Sequence, residues 1–157
     1  MRSNNKLLLL FLLLCFVLGT AGCQLRNKLQ AREHLNKGVI AYSAKNYDEA
    51  VEEFKSAIEL DPELIDAYLY LATAYRIQFV PLSPSPENLR KGQQAVATFE
   101  QVLGMDPTNT TAMANIADIY RNMNEPDKAK QWYRNLIGAD YDEAEALYGI
   151  ATIDYNL

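Results

Sequence analysis

Small residues recur along this chain at a fixed distance. Gly38 and Ala72 are 34 residues apart, as are Ala95 and Ala129, and Ala117 and Ala151. Within a unit the two sets lie 12 apart, Gly38 with Ala50 and Ala117 with Ala129. Ala72 to Ala95 is 23, so that unit carries 11 additional residues, and Pro62 and Pro107, 45 apart, differ from the period by the same amount. A period of this length marks a stack of repeated supersecondary units, none of which can bury its apolar face alone. Two helices pack ~8–10 Å apart only where the side chains at the crossing allow it. Gly38 against Ala50, Ala72 against Ala95 and Ala117 against Ala129 are expected to supply that closeness.

Apolar spacing and turn residues place the helices. First helices of the units are expected over 27–44, 63–78, 109–123 and 142–155, and second helices over 47–60, 86–104 and 126–138. Asp61-Pro62 and Asp106-Pro107 separate units, because the residue before proline avoids the helical region while proline suits a first turn. Ser85-Pro86-Glu87 has an N-cap, a first-turn proline and an acid in series, and Glu125-Pro126-Asp127 is a similar start. Asn109-Thr110-Thr111 matches a glycosylation sequon but stands where a helix begins.

The unit Asn46-Tyr-Asp-Glu-Ala50-Val-Glu-Glu-Phe54-Lys-Ser-Ala57-Ile-Glu-Leu-Asp61-Pro62, with Phe99 and Pro107 in the second unit and Tyr120, Ala129 and Tyr133 in the third, resembles the tetratricopeptide repeat (TPR) family. Tyr141 stands where that family has proline. The resemblance covers nearly all of residues 31–157. It implies an all-α fold, a right-handed α-solenoid of helix-turn-helix units. Repeat 1 is expected over 31–64, repeat 2 over 65–109 with a loop inserted near 77–86, repeat 3 over 110–143, and a partial repeat or cap helix over 144–157.

In that family the first helices line a concave groove for extended or helical peptides. Carried onto this chain, the groove positions are Arg32, Leu35, Val39 and Tyr42, then Leu69, Thr73 and Arg76, then Ala114, Asp118 and Arg121, and finally Tyr148, Thr152 and Tyr155. The subfamily that clamps a terminal carboxylate uses Lys and Asn here; Leu35 and Val39 occupy their places in the first unit, which argues against that clamp. The groove reads as apolar at its start, with Arg76 and Arg121 flanking Asp118 and tyrosines beyond. Tyr and Arg are enriched at interface hot spots. The alternative is ordinary half-exposed helix surface.

Two departures from the period stand out. Ile77–Pro86 holds prolines at 81, 84 and 86, which no continuous helix accommodates. It reads either as a tolerated turn insertion or as a protrusion that touches a partner, since Phe79, Val80 and Leu82 are costly to leave wet. The last helix has no second helix after it. Leu147, Ile150, Ala151 and Ile153 are expected to cover the third unit, while Tyr148, Tyr155 and Leu157 are left over. A rough cap, self-association through this end, or continuation into a longer array are the three readings.

The N-terminus reads separately. Arg2 and Lys6 precede an apolar run from Leu7 to Leu18, about 12 residues, against the ~20 needed to span a bilayer. A positive start, a short apolar run and small residues mark a secretory signal. Ala21-Gly22-Cys23 resembles the bacterial lipobox, with Thr20 where leucine is usual, which implies a cleaved signal peptide over 1–22 and lipid on Cys23. Residues 23–30 are then a short tether. An uncleaved anchor and plain cleavage are the other readings. Two or more acyl chains would fix the protein to a membrane, whereas one anchors only marginally.

Residues 1–22 hold two cations and no anion, so their removal takes the formal charge from −5 to −7 and leaves 135 residues, enough for one domain. Such a chain is unsuited to nucleic acid. With Cys23 lipidated no thiol remains for a disulfide. His34 is the one histidine, and no cluster has metal-ligand spacing, no glycine-rich loop precedes a helix and no nucleophile has an evident base. Trp132, beside Tyr133, reads as packing. The expectation is a non-enzymatic scaffold or assembly factor of a bacterial cell envelope, with no cofactor or metal. Gln24 is compatible with outer-membrane delivery. The alternatives are the targeting arm of a longer enzyme and a solenoid that binds a small ligand.

Overall fold

The computed structural model describes residues 2–139 and 142–155, with side chains from Gly22 onward. The expectations resting on Tyr141 and Leu157 lie outside these residues, as do the side chains of Arg2 through Ala21. Seven helices follow one another: α1 (Arg2–Ser43), α2 (Tyr47–Leu60), α3 (Ile65–Gln78), α4 (Pro86–Met105), α5 (Thr110–Asn122), α6 (Pro126–Ile137) and α7 (Glu143–Tyr155). From α2 onward the ends fall within two residues of those the sequence predicts.

Capping chemistry explains several boundaries. The Ser85 hydroxyl accepts the Asn88 N–H and Pro86 opens α4. The Asn109 side chain accepts the Ala112 N–H, so the residue of the sequon is the N-cap of α5. Asp106 closes the preceding turn by accepting the Thr108 N–H and hydroxyl and an Asn109 side-chain N–H. Those bonds hold its carboxyl below the usual range, Thr108 being the largest cause.

Packing follows the chain. α1–α2, α3–α4 and α5–α6 form hairpins, α2–α3, α4–α5 and α6–α7 join them, and α1 also touches α3. Ala50, Ala72, Ala95, Ala117 and Ala129 are completely buried, as the period requires. Three linked cores form around Phe54, Phe99 and Tyr133. Phe54 stacks on Tyr70 of the next unit, centroids 5.5 Å apart. Trp132 packs partly buried against two of these cores.

Three details differ from expectation. At Gly38 the close neighbour is the Phe54 ring, which an added Cβ would meet at 2.5 Å; the glycine makes room for the aromatic. In α7 it is Gly149 that lies against the Tyr133 ring, at the same 2.5 Å, while Ala151 and Leu147 are exposed. In earlier units the residue matching Ala151 faces that unit's own second helix, and no such helix follows α7 among the described residues. Ile153 is buried and Ile150 half-buried, as expected. Finally, α1 is one helix of 42 residues through the segment read as signal and tether. Residues 23–30 are therefore helical, and eight helical residues span ~12 Å rather than the ~25 Å of an extended tether.

The inserted residues fall where the period breaks. They lengthen the second helix, α4 having 20 residues against 14 in α2 and 12 in α6. They also form the loop between α3 and α4.

Candidate functional site

The first helices α1, α3, α5 and α7 carry all the residues expected to line the groove, because positions three and four apart share one helix face. Their environments differ. Leu35, Val39 and Tyr42 are partly buried against the first core, and Arg32 is exposed. Tyr42 meets Tyr47 edge to face at 5.5 Å. Burial pushes the Tyr42 hydroxyl above the usual phenol range, helped by Tyr47, and the charge of Arg76 pulls it back. Arg76 is half-buried, and its Nε is buried without a hydrogen-bond partner. Leu69 packs on the second core, and the Thr73 hydroxyl donates to the Leu69 carbonyl at 2.7 Å.

The third and fourth units carry a polar cluster. Asp118 Oδ1 accepts the Tyr133 hydroxyl at 2.7 Å and pairs with Arg121 Nη2 at 2.9 Å. Ala114 packs against the third core. Thr152 donates to the Gly149 carbonyl at 2.8 Å. Tyr148 and Tyr155 project into solvent, Tyr155 being 92% exposed. An ion pair between Lys130 and Asp154 ties α6 to α7.

Arg121 and Thr152 come together in a cleft of about 560 Å³, completed by Leu82, Asn122, Asn124, Pro126 and Ile153. Sequence reasoning missed these five as lining residues. Ile153 read as core, Asn122 and Pro126 are terminal residues of α5 and α6, Asn124 lies in the turn between them, and Leu82 lies on the inserted loop, where periodicity assigns no face. A depression of similar size beside Lys45, Asp48, Gln78 and Lys91 includes none of the groove positions. The remaining expected groove residues line neither space.

Other chemistry is sparse. His34 Nδ1 lies 2.7 Å from Glu53 Oε2, linking α1 to α2. Among the described residues no group of His, Cys, Asp and Glu could hold a metal ion, and no helix is long and apolar enough to cross a membrane. Cys23 is a free, exposed thiol on α1.

Stacked helical hairpins with an open face on their first helices define a protein–protein interaction solenoid. A tetratricopeptide repeat model matches residues 90–153, and a TPR repeat model matches residues 38–76. The chain belongs to the tetratricopeptide repeat family. The stretch between the two matches contains the inserted loop.

Tetratricopeptide repeat protein 8 of Mus musculus is 32% identical over 110 residues, 70% of this chain but 19% of that protein. Hsp70-Hsp90 organizing protein 1 of Glycine max is 28% identical over 120 residues, 76% of this chain and 19% of its own length. The chain thus spans about a fifth of these relatives. Among solved structures, the first TPR of Spaghetti (RPAP3) bound to an HSP90 peptide has a TM-score of 0.66 at 18% identity, covering 82% of this chain and 94% of that one. The Arabidopsis OM64 TPR domain has a TM-score of 0.67 at 18% identity, covering 83% and 99%. These likenesses concern the fold.

Proposed function

We propose that this chain is a non-enzymatic, lipid-anchored TPR protein of a bacterial cell envelope, which holds a partner polypeptide in the groove of α1, α3, α5 and α7. The observation that carries the groove is the meeting of Arg121 and Thr152, groove positions on the successive first helices α5 and α7, in one open cleft. A TPR domain of this fold holds an HSP90 peptide, which supports a peptide as occupant. Leu35 and Val39 give the first unit an apolar start where a carboxylate clamp has Lys and Asn. The partner is therefore read along its length and not by its C-terminal carboxylate.

The anchor reading rests on the lipobox-like Ala21-Gly22-Cys23 and on the exposure of Cys23. Acylation there would place the first repeat ~12 Å from the lipid along a helical stem. The open face of α7, with Leu147 and Ala151 exposed, makes a second copy of the chain an additional partner.

One experiment tests anchor and groove in the same membranes. Cells are labelled with a radioactive fatty acid, and a photocrosslinking residue is placed at Tyr148 in the groove or at Gln101 on a second helix. Wild type is expected to take label and Cys23→Ser to lose it. Crosslinks are expected from position 148 and not from 101. Equal labelling removes the anchor, and equal crosslinking from both positions removes the groove.

A further inference from the structure

The inserted loop between α3 and α4 is held at several points. Phe79 is buried in the second core and lies close beside Gly92. Buried Asn88 accepts the Val80 N–H at 2.7 Å and donates to the Val80 and Ser83 carbonyls at 2.8 and 2.9 Å. The Leu82 N–H reaches across to the Asn122 carbonyl at the end of α5, 3.1 Å away. This network positions the loop's apex against the third unit.

At that apex Leu82 has a φ of 59°, in the left-handed region that leucine disfavours, and its side chain is 75% exposed. Burial does not offset the strain. Lys45 and Asn124 also have positive φ, but each closes the turn after a first helix, with its N–H bonded to Tyr42 or Arg121. Leu82 also follows a first helix, α3, but its N–H is bonded outside its own unit, to Asn122. A strained residue held by its surroundings points to function.

Leu82 borders the cleft together with Pro126 and Ile153. The volume of about 560 Å³ falls within the ~300–1,000 Å³ usual for ligand sites. The charge at the rim is already balanced, since Arg121 is paired with Asp118. A carboxylate would compete with Asp118, and a cation would face Arg121. The Asn122 and Asn124 amides both donate and accept, as a peptide backbone requires. We infer that Leu82 is the apolar wall of a specificity cleft that takes an uncharged, bulky apolar side chain from an extended polypeptide. The inference rests on the groove proposed above and adds what that groove selects.

The test uses the full chain in detergent micelles, titrated with N-acetyl-leucine methylamide and with the aspartate and lysine analogues, followed by NMR. The leucine probe is expected to give saturable shifts at Leu82, Asn124, Thr152 and Ile153. The charged probes are expected to bind at least about tenfold more weakly, the scale set by burying one leucine side chain. Leu82→Asn and Leu82→Gly both tolerate positive φ, so they keep the loop while removing the wall. Both are expected to lose leucine binding by about tenfold with no fall in Tm, and Leu82→Met to retain it. Equal binding of the three probes, shifts mapping elsewhere, or unchanged binding in the two loop-preserving variants would overturn the inference. Unchanged crosslinking from position 148 in Leu82→Asn would overturn it too while leaving the groove standing. Cleft binding without any crosslinked partner would remove the groove proposal alone.

Discussion

A Cβ at Gly38 would lie 2.5 Å from the Phe54 ring, and one at Gly149 would lie as close to the Tyr133 ring. Both neighbours are aromatic rings buried in a core, so neither can swing aside as a flexible tail would. Gly38→Ala is expected to destabilise the fold by about 1–3 kcal/mol, the usual cost of overpacking, despite alanine's better helix propensity. Urea denaturation measures it; an unchanged midpoint would mean that the ring has room to move. Tyr133→Phe keeps the ring and removes the 2.7 Å bond to Asp118. A loss of about 0.5–1.5 kcal/mol is expected, read in the same denaturation series. The need for a small residue at 38 was legible from the period. That its neighbour is Phe54 was not, because a period marks which positions are crowded without saying by which side chain.

Among elements, the loop of 79–85 and helix α7 are where the regular pattern stops. The loop depends on Asn88, which is buried and makes three side-chain bonds to its backbone. Asn88→Ala leaves those groups without their partner, at about 1–3 kcal/mol. Faster amide exchange at Val80 and Leu82 is expected, with α1 and α2 unchanged; uniform protection would show that the loop is held by other means. Helix α7 lies on α6 through Ala146, Gly149 and Ile153 and exposes Leu147, Ala151 and Tyr155. Concentration-dependent self-association is expected, abolished by Leu147→Glu. A monomer at every concentration in analytical ultracentrifugation would show that the open face does not mediate self-association. The sequence showed a helix with apolar residues to spare. Which of them face solvent depended on the rotation of α7 against α6, where Gly149 and not Ala151 takes the Tyr133 contact.

At the scale of the whole molecule, contacts run between neighbouring helices, so the stack behaves as a quasi-one-dimensional array in which each unit shields the last. Removing residues 142–157 uncovers Tyr133 and Leu136, both now buried, at about 2 kcal/mol for each side chain. A lowered Tm and raised dye binding are expected, and an unchanged Tm would show that α7 adds nothing to the third unit. The sequence by itself determined the period, the helices after the first within two residues, the alanines and aromatics of the core, and the place of the insertion. All of these follow from local backbone preference and from apolar spacing that repeats at a fixed interval. The structure showed that α1 continues through the segment read as a tether. It also brought Arg121, Thr152 and Leu82 to one cleft, and it turned Leu82 outward on a left-handed backbone. The cleft and the turn of Leu82 depend on bonds such as Leu82 to Asn122, forty residues apart in the chain, and no local preference or period encodes a contact made once.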